Sequence, residues 1–137
     1  MQEFIDYFKD SLEIKDVDPK QYSPLVLAYI GDSVYDLVIK SKVIAEGNAP
    51  VNKLHKKTSS YVKASAQAKM FRRIEDILTD EELVIFKRGR NAKSSTVPKH
   101  AALIDYRVAT GLEALIGFLY LKNRFKRIIE LIVRGVE

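Results

Sequence analysis

Residues 25–35 read LVLAYIGDSVY and contain a single charged side chain, Asp32. Residues 112–121 read LEALIGFLYL and also contain a single charge, Glu113. Runs of this composition form buried helices, and a carboxylate removed from water without a partner is costly. Each acid therefore needs a partner, which is usually a cation. A metal ion shared by Asp32 and Glu113 would supply one, and oxygen ligands of this kind suit Mg²⁺ or Mn²⁺.

Ordinary ion pairing also explains the two acids, because Arg107 or a nearby lysine could neutralise one of them without any metal. Asp36 follows the first acid by one helical turn and could be a further ligand, although solvent exposure is the favoured interpretation. Gly31 and Gly117 lie within one turn of the acids. A glycine inside a helix costs roughly 1 kcal/mol against alanine, and close approach of two helix backbones would offset that cost.

The composition is typical of one folded, soluble domain. The chain has 137 residues, of which 47% are hydrophobic and 30% are charged. It has no cysteine, which excludes disulfides and thiolate zinc sites and fits a reducing cytoplasm. The first residues are acidic, so no signal peptide is expected, and the longest apolar run is about half of what a membrane-spanning helix needs. We expect a single cytoplasmic domain over residues 1–137.

Charge is segregated along the chain, whose formal net charge is +5. Residues 1–18 contain six acids and two lysines, whereas residues 47–74 contain seven cations and no acid. Residues 83–104 again lack acids and contain five cations. Segregation of this kind predicts a polyanionic partner, although a solvated positive face without any partner has the same pattern.

Apolar periodicity predicts an all-α fold, a single compact helical domain. A short opening helix should end at Asp18-Pro19, and Ser23-Pro24 should begin a helix to about Glu46 whose first half is buried on several sides. Further helices are expected from Pro50 with a break near residues 58–60, over residues 60–78, from a capping box at Thr79 to Gly89, from about Pro98 to Asn123, and over residues 124–134. Residues 90–97 lack periodicity and predict a loop.

Four stretches, in this order, resemble the ribonuclease III family. Residues 28–32 (AYIGD) resemble the signature helix of the family's endonuclease domain, and residues 112–117 (LEALIG) resemble its second motif. Residues 54–57 (LHKK) and the segment 87–93 (KRGRNAK) with Pro98-Lys99 resemble the Mini-III branch, which is the endonuclease domain without a double-stranded-RNA-binding domain. The resemblance covers nearly the whole chain.

The resemblance implies an all-α homodimer of the ribonuclease III endonuclease type, with a valley for double-stranded RNA. Asp32 and Glu113 would be the catalytic residues and the metal ligands, with Mg²⁺, or Mn²⁺ in its place, activating water against a phosphodiester to leave 5′-phosphate ends. For the Mini-III branch the implied substrate is precursor 23S ribosomal RNA. The alternative is a non-catalytic helical RNA- or ribosome-binding module on the same fold.

The chain departs from the larger enzymes of the family at two positions. Those enzymes carry an acid four residues before the signature aspartate, where this chain has Ala28. They carry another three residues before the glutamate, where this chain has Thr110. The number of bound metals and the tightness of their binding are therefore open.

Duplex RNA is bound through its shape, phosphates and 2′-hydroxyls, which requires cations and small polar donors. The first candidate for contact with the duplex is a basic loop over residues 87–99, in which Gly89 permits close approach; a mobile surface loop is the alternative interpretation. The second candidate is the helix that carries Lys53, Lys56 and Lys57. The expected RNA-binding residues are Lys56, Lys57, Lys87, Arg88, Arg90, Asn91, Lys93 and Lys99.

Overall fold

The computed structural model describes residues 2–93 and 102–137, and all regular secondary structure within them is helical. The prediction of an all-α fold is confirmed. The α-helices in chain order are α1 (Gln2–Ser11), α2 (Pro24–Ala45), α3 (Val51–Val62), α4 (Ala64–Ile74), α5 (Asp80–Arg90), α6 (Leu103–Leu121) and α7 (Phe125–Gly135). Two short 3₁₀ segments, Pro19–Gln21 and Glu75–Ile77, join them. Pro98 and Lys99 lie outside the described residues, and the single-domain organisation stays a prediction.

Helix α6 is the centre of the molecule. Its side chains from Ala109 to Leu119 are buried, apart from that of Glu113, which is partly buried. Helices α2, α4 and α5 pack around it, and α7 packs against α4 and α6. A helix that is apolar all round must be covered on all sides, so the LEALIGFLYL run forms the core.

Helix starts follow the capping signals in the sequence. Ser23 Oγ accepts a hydrogen bond from the Val26 amide at 3.3 Å, with Pro24 at the first helical position. The predicted capping box is also present, because Thr79 Oγ1 accepts from the Glu82 amide at 3.2 Å and Glu82 Oε1 accepts from the Thr79 amide at 2.9 Å. The buried Glu82 carboxylate also pairs with Arg127 at 2.8 Å, which ties α5 to α7.

Several predicted boundaries are wrong. Helix α1 ends at Ser11, well before the predicted end. The break between α3 and α4 falls at Lys63, which is extended, and not at residues 58–60, because Thr58 is buried inside α3. Helix α5 continues through Gly89 to Arg90, because that glycine packs against α6: a Cβ there would lie 2.7 Å from the Ala114 Cβ atom. Gly89 therefore serves helix packing and ends no helix.

The first half of α2 is buried on one side only, which corrects the expectation that it is covered on several. Leu27, Ala28 and Gly31 face the core. Leu25, Val26 and Tyr29 are exposed, and Tyr29 keeps 80% of its accessible surface. In a single copy of the chain, the outer face of this helix is therefore an uncovered apolar surface.

Candidate active site at the crossing of two helices

Helices α2 and α6 cross in direct backbone contact at two glycines. A Cβ atom at Gly31 would overlap the carbonyl oxygen of Glu113 and would lie 2.7 Å from the Gly117 amide nitrogen. A Cβ atom at Gly117 would overlap the carbonyl oxygen of Leu27. Only glycine allows the two backbones to come this close. We call this contact the glycine crossing.

The glycine crossing brings together two carboxyl groups that are far apart in the sequence. Asp32 follows Gly31 on α2, and Glu113 lies one turn before Gly117 on α6. Their side chains are within hydrogen-bonding reach of each other. Asp32 is exposed, whereas Glu113 is partly buried. The pair thus has one member facing solvent and one set into the protein.

The electrostatics of the site favour a cation. Burial raises the pKa of Glu113 from 4.5 to about 8, and the hydrogen bond and negative charge of Asp32 act in the same direction. Behind them, the hydroxyl of Tyr35 donates to the Tyr61 carbonyl oxygen at 2.9 Å. Burial and the nearby charge of Glu113 raise the pKa of Tyr35 to about 12. Without a cation, the acid pair therefore retains a proton at neutral pH.

Gln67 of α4 is the third side chain of the site. It keeps 2% of its accessible surface, and its Nε2 donates to the Val62 carbonyl oxygen at 2.9 Å. Its amide lies close enough to the Glu113 carboxyl group to act against the upward shift of that group's pKa. Its Oε1 is buried with no hydrogen-bond partner in the described part of the chain. Sequence analysis missed this residue, although a glutamine at the apolar spacing 67, 70, 71, 74 of α4 was a usable signal.

Ordinary ion pairing does not account for the two acids within the described residues, 2–93 and 102–137. The ion pairs formed there include neither member of the acid pair and do not include Arg107. Asp36 pairs with Lys40 at 2.9 Å along its own helix. No third histidine, cysteine or acid joins Asp32 and Glu113 to form a metal-binding group in the described ranges.

The residues present fit a hard divalent cation. Two carboxylates give oxygen ligands of the kind that Mg²⁺ and Mn²⁺ prefer, and an exposed Asp32 leaves an open side for water or substrate. A cation would also replace the proton that the pair otherwise keeps. The unpartnered Gln67 oxygen supplies an additional polar group beside these ligands.

The basic segment is more helical than predicted. Lys87, Arg88 and Arg90 belong to the last turns of α5, so the expectation of a loop is wrong there; helix α5 persists because its neighbouring glycine is packed on α6. Asn91 caps the helix and Lys93 is exposed beyond it. We call residues 87–93 the basic end of α5. Lys99 lies outside the described residues.

Individual basic residues differ in their surroundings. Arg90 lies over the Phe86 ring, 5.8 Å from its centroid, and donates to Asn91 Oδ1 at 3.1 Å. Arg88 faces another side of the helix, in a depression that it shares with Lys20 and Glu81. On α3, Lys56 is exposed, and Lys57 is partly buried with its Nζ 4.0 Å from Glu46.

The basic end of α5 lies near the acid pair along α6. Gly89 contacts Thr110, Gly111 and Ala114, which surround Glu113 in the sequence. The same turns of α6 therefore contact α5 on one side and α2 on another. The glycine crossing and the basic end of α5 therefore lie at about the same height along the axis of α6.

Comparison with known proteins identifies the family. The family described as Ribonuclease III domain matches residues 25–124, which include both helices of the glycine crossing. The chain belongs to the ribonuclease III family. Its membership makes it an endoribonuclease of that family.

The similarity to the Mini-III branch is confirmed as well. The chain is 55% identical over 118 residues to a Mini-ribonuclease 3 of a Thermoanaerobacter species, covering 84% of this chain and 83% of that protein. It is 52% identical over 115 residues to a Mini-ribonuclease 3 of Clostridium tetani, covering 83% and 76%. A crystal structure of a Fusobacterium nucleatum protein matches with a TM-score of 0.73 at 32% identity, covering 88% of this chain and 98% of that one.

None of the helices described for this ribonuclease III-family chain combines the length and hydropathy needed to cross a bilayer.

Proposed function

We propose that this ribonuclease III-family protein is a metal-dependent endonuclease that cuts double-stranded RNA, with Asp32 and Glu113 as its catalytic metal ligands. One observation carries the proposal. Asp32 and Glu113 are far apart in the sequence, yet they come within hydrogen-bonding reach and have no cationic partner among the described residues. Carboxylates held this close repel each other unless they share a proton or a cation. The non-catalytic alternative gives no reason to maintain such a pair.

The chemistry of the proposed site divides between the two acids. Asp32, exposed to solvent, faces the side from which a phosphodiester arrives. Glu113, partly buried beside Gln67, would hold the cation from the protein side. When bound, Mg²⁺ or Mn²⁺ supplies an activated water and stabilises the charge that develops on the phosphate during cleavage. The resemblance to the family implies that this hydrolysis leaves a 5′-phosphate.

Double-stranded RNA is the proposed substrate class because of two groups of cations. Lys87, Arg90 and Lys93 give the basic end of α5 its positive charge, and Lys56 and Lys57 add a second group on α3. With Arg88, Asn91 and Lys99 they form the proposed RNA-binding set. Resemblance to the Mini-III branch suggests precursor 23S ribosomal RNA as the particular duplex, cut in the cytoplasm.

We also propose a homodimer. The supporting feature is the outer face of α2, where Leu25, Val26 and Tyr29 are exposed next to the acid pair. Exposed apolar surface of this kind marks interaction sites. Two copies joined here would carry two acid pairs, one for each strand of a duplex. Light scattering that gives a mass near 15.6 kDa at working concentration would contradict this arrangement.

The test uses purified protein and a synthetic RNA duplex, with Mg²⁺ and then with EDTA. Asp32→Asn and Glu113→Gln should each lower the cleavage rate by at least about 100-fold while leaving the fold intact, because each removes a ligand charge. Asp36→Asn is the matched control, since it makes the same chemical change one turn away in an ion pair with Lys40. Its rate should stay within about twofold of the wild type.

Three outcomes would count against the proposal. Cleavage that persists in EDTA would remove the metal. Full activity of either acid variant would remove that acid from catalysis. Binding of duplex RNA without any cleavage in Mg²⁺ or Mn²⁺ would favour the non-catalytic RNA-binding module instead.

A further inference from the structure

We propose that Gln67 positions the metal site: its amide group holds the Glu113 carboxylate, and its Oε1 accepts a hydrogen bond from a water molecule in the hydration shell of the cation. The inference rests on the proposed function, because it concerns the same site. It assigns a role to a buried amide that is not a metal ligand. Gln67 would act through Glu113 and through water.

The orientation of the Gln67 amide is fixed by the break between α3 and α4. Val62 is the last residue of α3, and the extended backbone at Lys63 leaves the Val62 carbonyl oxygen available. Gln67 Nε2 donates to that oxygen at 2.9 Å. Because only the NH₂ side of the amide can donate to a carbonyl, Oε1 is held on the opposite side.

The Gln67 oxygen is then left without a donor. It is the buried side-chain polar atom that lacks a hydrogen-bond partner in the described ranges. Leaving such an acceptor unsatisfied costs about 1–3 kcal/mol, and native proteins seldom do so without an unseen water or ion to satisfy it. This atom belongs to a side chain beside Glu113, on helix α4, which packs against α6, so the missing donor is expected at the acid pair.

A divalent cation at the acid pair would bring such donors. Mg²⁺ prefers about six oxygen ligands and usually keeps several waters. Asp32 and Glu113 supply two carboxylates, and no third acid or histidine joins them in the described part of the chain. The remaining positions are open to water, whose hydrogens need acceptors. A neutral amide oxygen accepts without adding a negative charge beside two carboxylates.

A purely structural role for Gln67 makes a different prediction. If the residue serves only to satisfy the Val62 carbonyl, its loss should lower stability and leave metal affinity unchanged. Polar groups around metal ligands typically change metal affinity by about 10- to 100-fold when they are lost. The binding of metal to the RNA-free protein therefore separates the two roles.

The experiment measures Mn²⁺ binding by calorimetry on the full chain without RNA. Gln67→Met, which is nearly isosteric, should weaken Mn²⁺ binding by about 10-fold, with Gln67→Leu as a second variant of different shape. Thr58→Val is the control, because Thr58 is another buried polar residue of this region, on α3. In cleavage assays, the half-saturating Mn²⁺ concentration should rise by about the same factor, and the rate at saturating Mn²⁺ should recover.

The outcomes distinguish this inference from the proposed function. Wild-type affinity in both Gln67 variants would overturn the inference and leave the proposed function standing. Failure of both variants to fold without metal would also overturn it, since the role would then be structural. If the wild-type protein binds Mn²⁺ no better than Asp32→Asn does, the acid pair holds no metal, and the proposed function itself is overturned.

Discussion

The glycine crossing and the basic end of α5 lie at the same level of α6 but are built in opposite ways. At the glycine crossing, backbone touches backbone, and an added Cβ atom at Gly31 would overlap a carbonyl oxygen. At the basic end of α5, Lys87 and Lys93 are exposed, and Arg90 contacts its sequence neighbours Phe86 and Asn91. The first region fixes the spacing of two backbones, and the second supplies charge.

This difference predicts different sensitivities. Positions fixed by close packing tolerate no added atoms but depend little on salt. Exposed charges tolerate substitution, and their contribution to binding a polyanion falls as salt rises. Changes at the glycine crossing should therefore appear in folding stability, and changes at the basic end of α5 should appear in RNA affinity.

The largest effect is expected from Gly31→Ala. The new methyl group would overlap the Glu113 carbonyl oxygen, which is backbone and cannot rotate away, so α2 and α6 must separate. We expect a loss of about 3 kcal/mol or more in the free energy of unfolding, measured by urea denaturation. Ser33→Ala, at an exposed position of the same helix, should change it by less than about 0.5 kcal/mol. A loss below about 1 kcal/mol for Gly31→Ala would mean that the two helices are less closely packed than described.

A stabilising effect that depends on pH, and that vanishes at low pH, is expected from Glu113→Gln. The folded protein keeps the Glu113 proton until its pKa of about 8, whereas the unfolded chain loses it near 4.5. Between these values the folded state binds more protons, so wild-type stability falls as pH rises. The Glu113→Gln variant has no carboxyl group at this position, so its folding stability does not fall in this way. It should be more stable than the wild type by on the order of 2–4 kcal/mol above pH 8, and the gap should vanish below pH 4.

This prediction is checked by urea unfolding at pH 4, 6 and 8.5 in EDTA, so that no divalent cation binds the native state. Asp36→Asn is again the control, because its carboxylate is paired with Lys40 at the surface. Parallel pH profiles for Glu113→Gln and the wild type would show that neither burial nor the nearby Asp32 charge raises the pKa of Glu113. That result would also weaken the case for a shared cation.

Features that depend on local chemistry were predictable from the sequence. The cap at Ser23, the capping box at Thr79 and the all-α class are confirmed by the structure. The two acids were singled out because a single charge in an apolar run needs a partner, whichever way the helices pack. Similarly, no turn or helix end explains the glycines at positions 31 and 117, which left close contact between two helices as the explanation.

Features that depend on tertiary packing were not predictable. Gly89 reads as a helix stop, yet it lies inside α5 because Gly111 and Ala114 of α6 leave room for nothing larger. The first half of α2 reads as buried on several sides, yet Tyr29 is 80% exposed, because one chain alone does not cover that face. Gln67 gave a weak signal in the sequence, and its significance came only from its contact with Glu113.

The smallest effect is expected from Lys93→Ala at the basic end of α5. If Lys93 contacts a phosphate, removing it should lower affinity for duplex RNA severalfold and reduce the salt dependence, the slope of log affinity against log salt concentration, by about one unit. Folding stability should change by less than about 0.5 kcal/mol, because Lys93 is exposed. The titrations would use a Glu113→Gln background, which the proposed function predicts to be inactive, at several salt concentrations.

Lys126→Ala supplies the matched control for that titration, since it removes one exposed lysine from α7, far along the chain from the basic end of α5. It changes the net charge of the protein by the same amount, so any effect of overall charge should appear in both variants. If the slope falls for Lys93→Ala alone, the RNA backbone passes the basic end of α5. Equal slopes for the two variants and the background would instead indicate that the RNA contacts the lysines of α3. Lys56→Ala should then reduce the slope of log affinity against log salt concentration by about one unit.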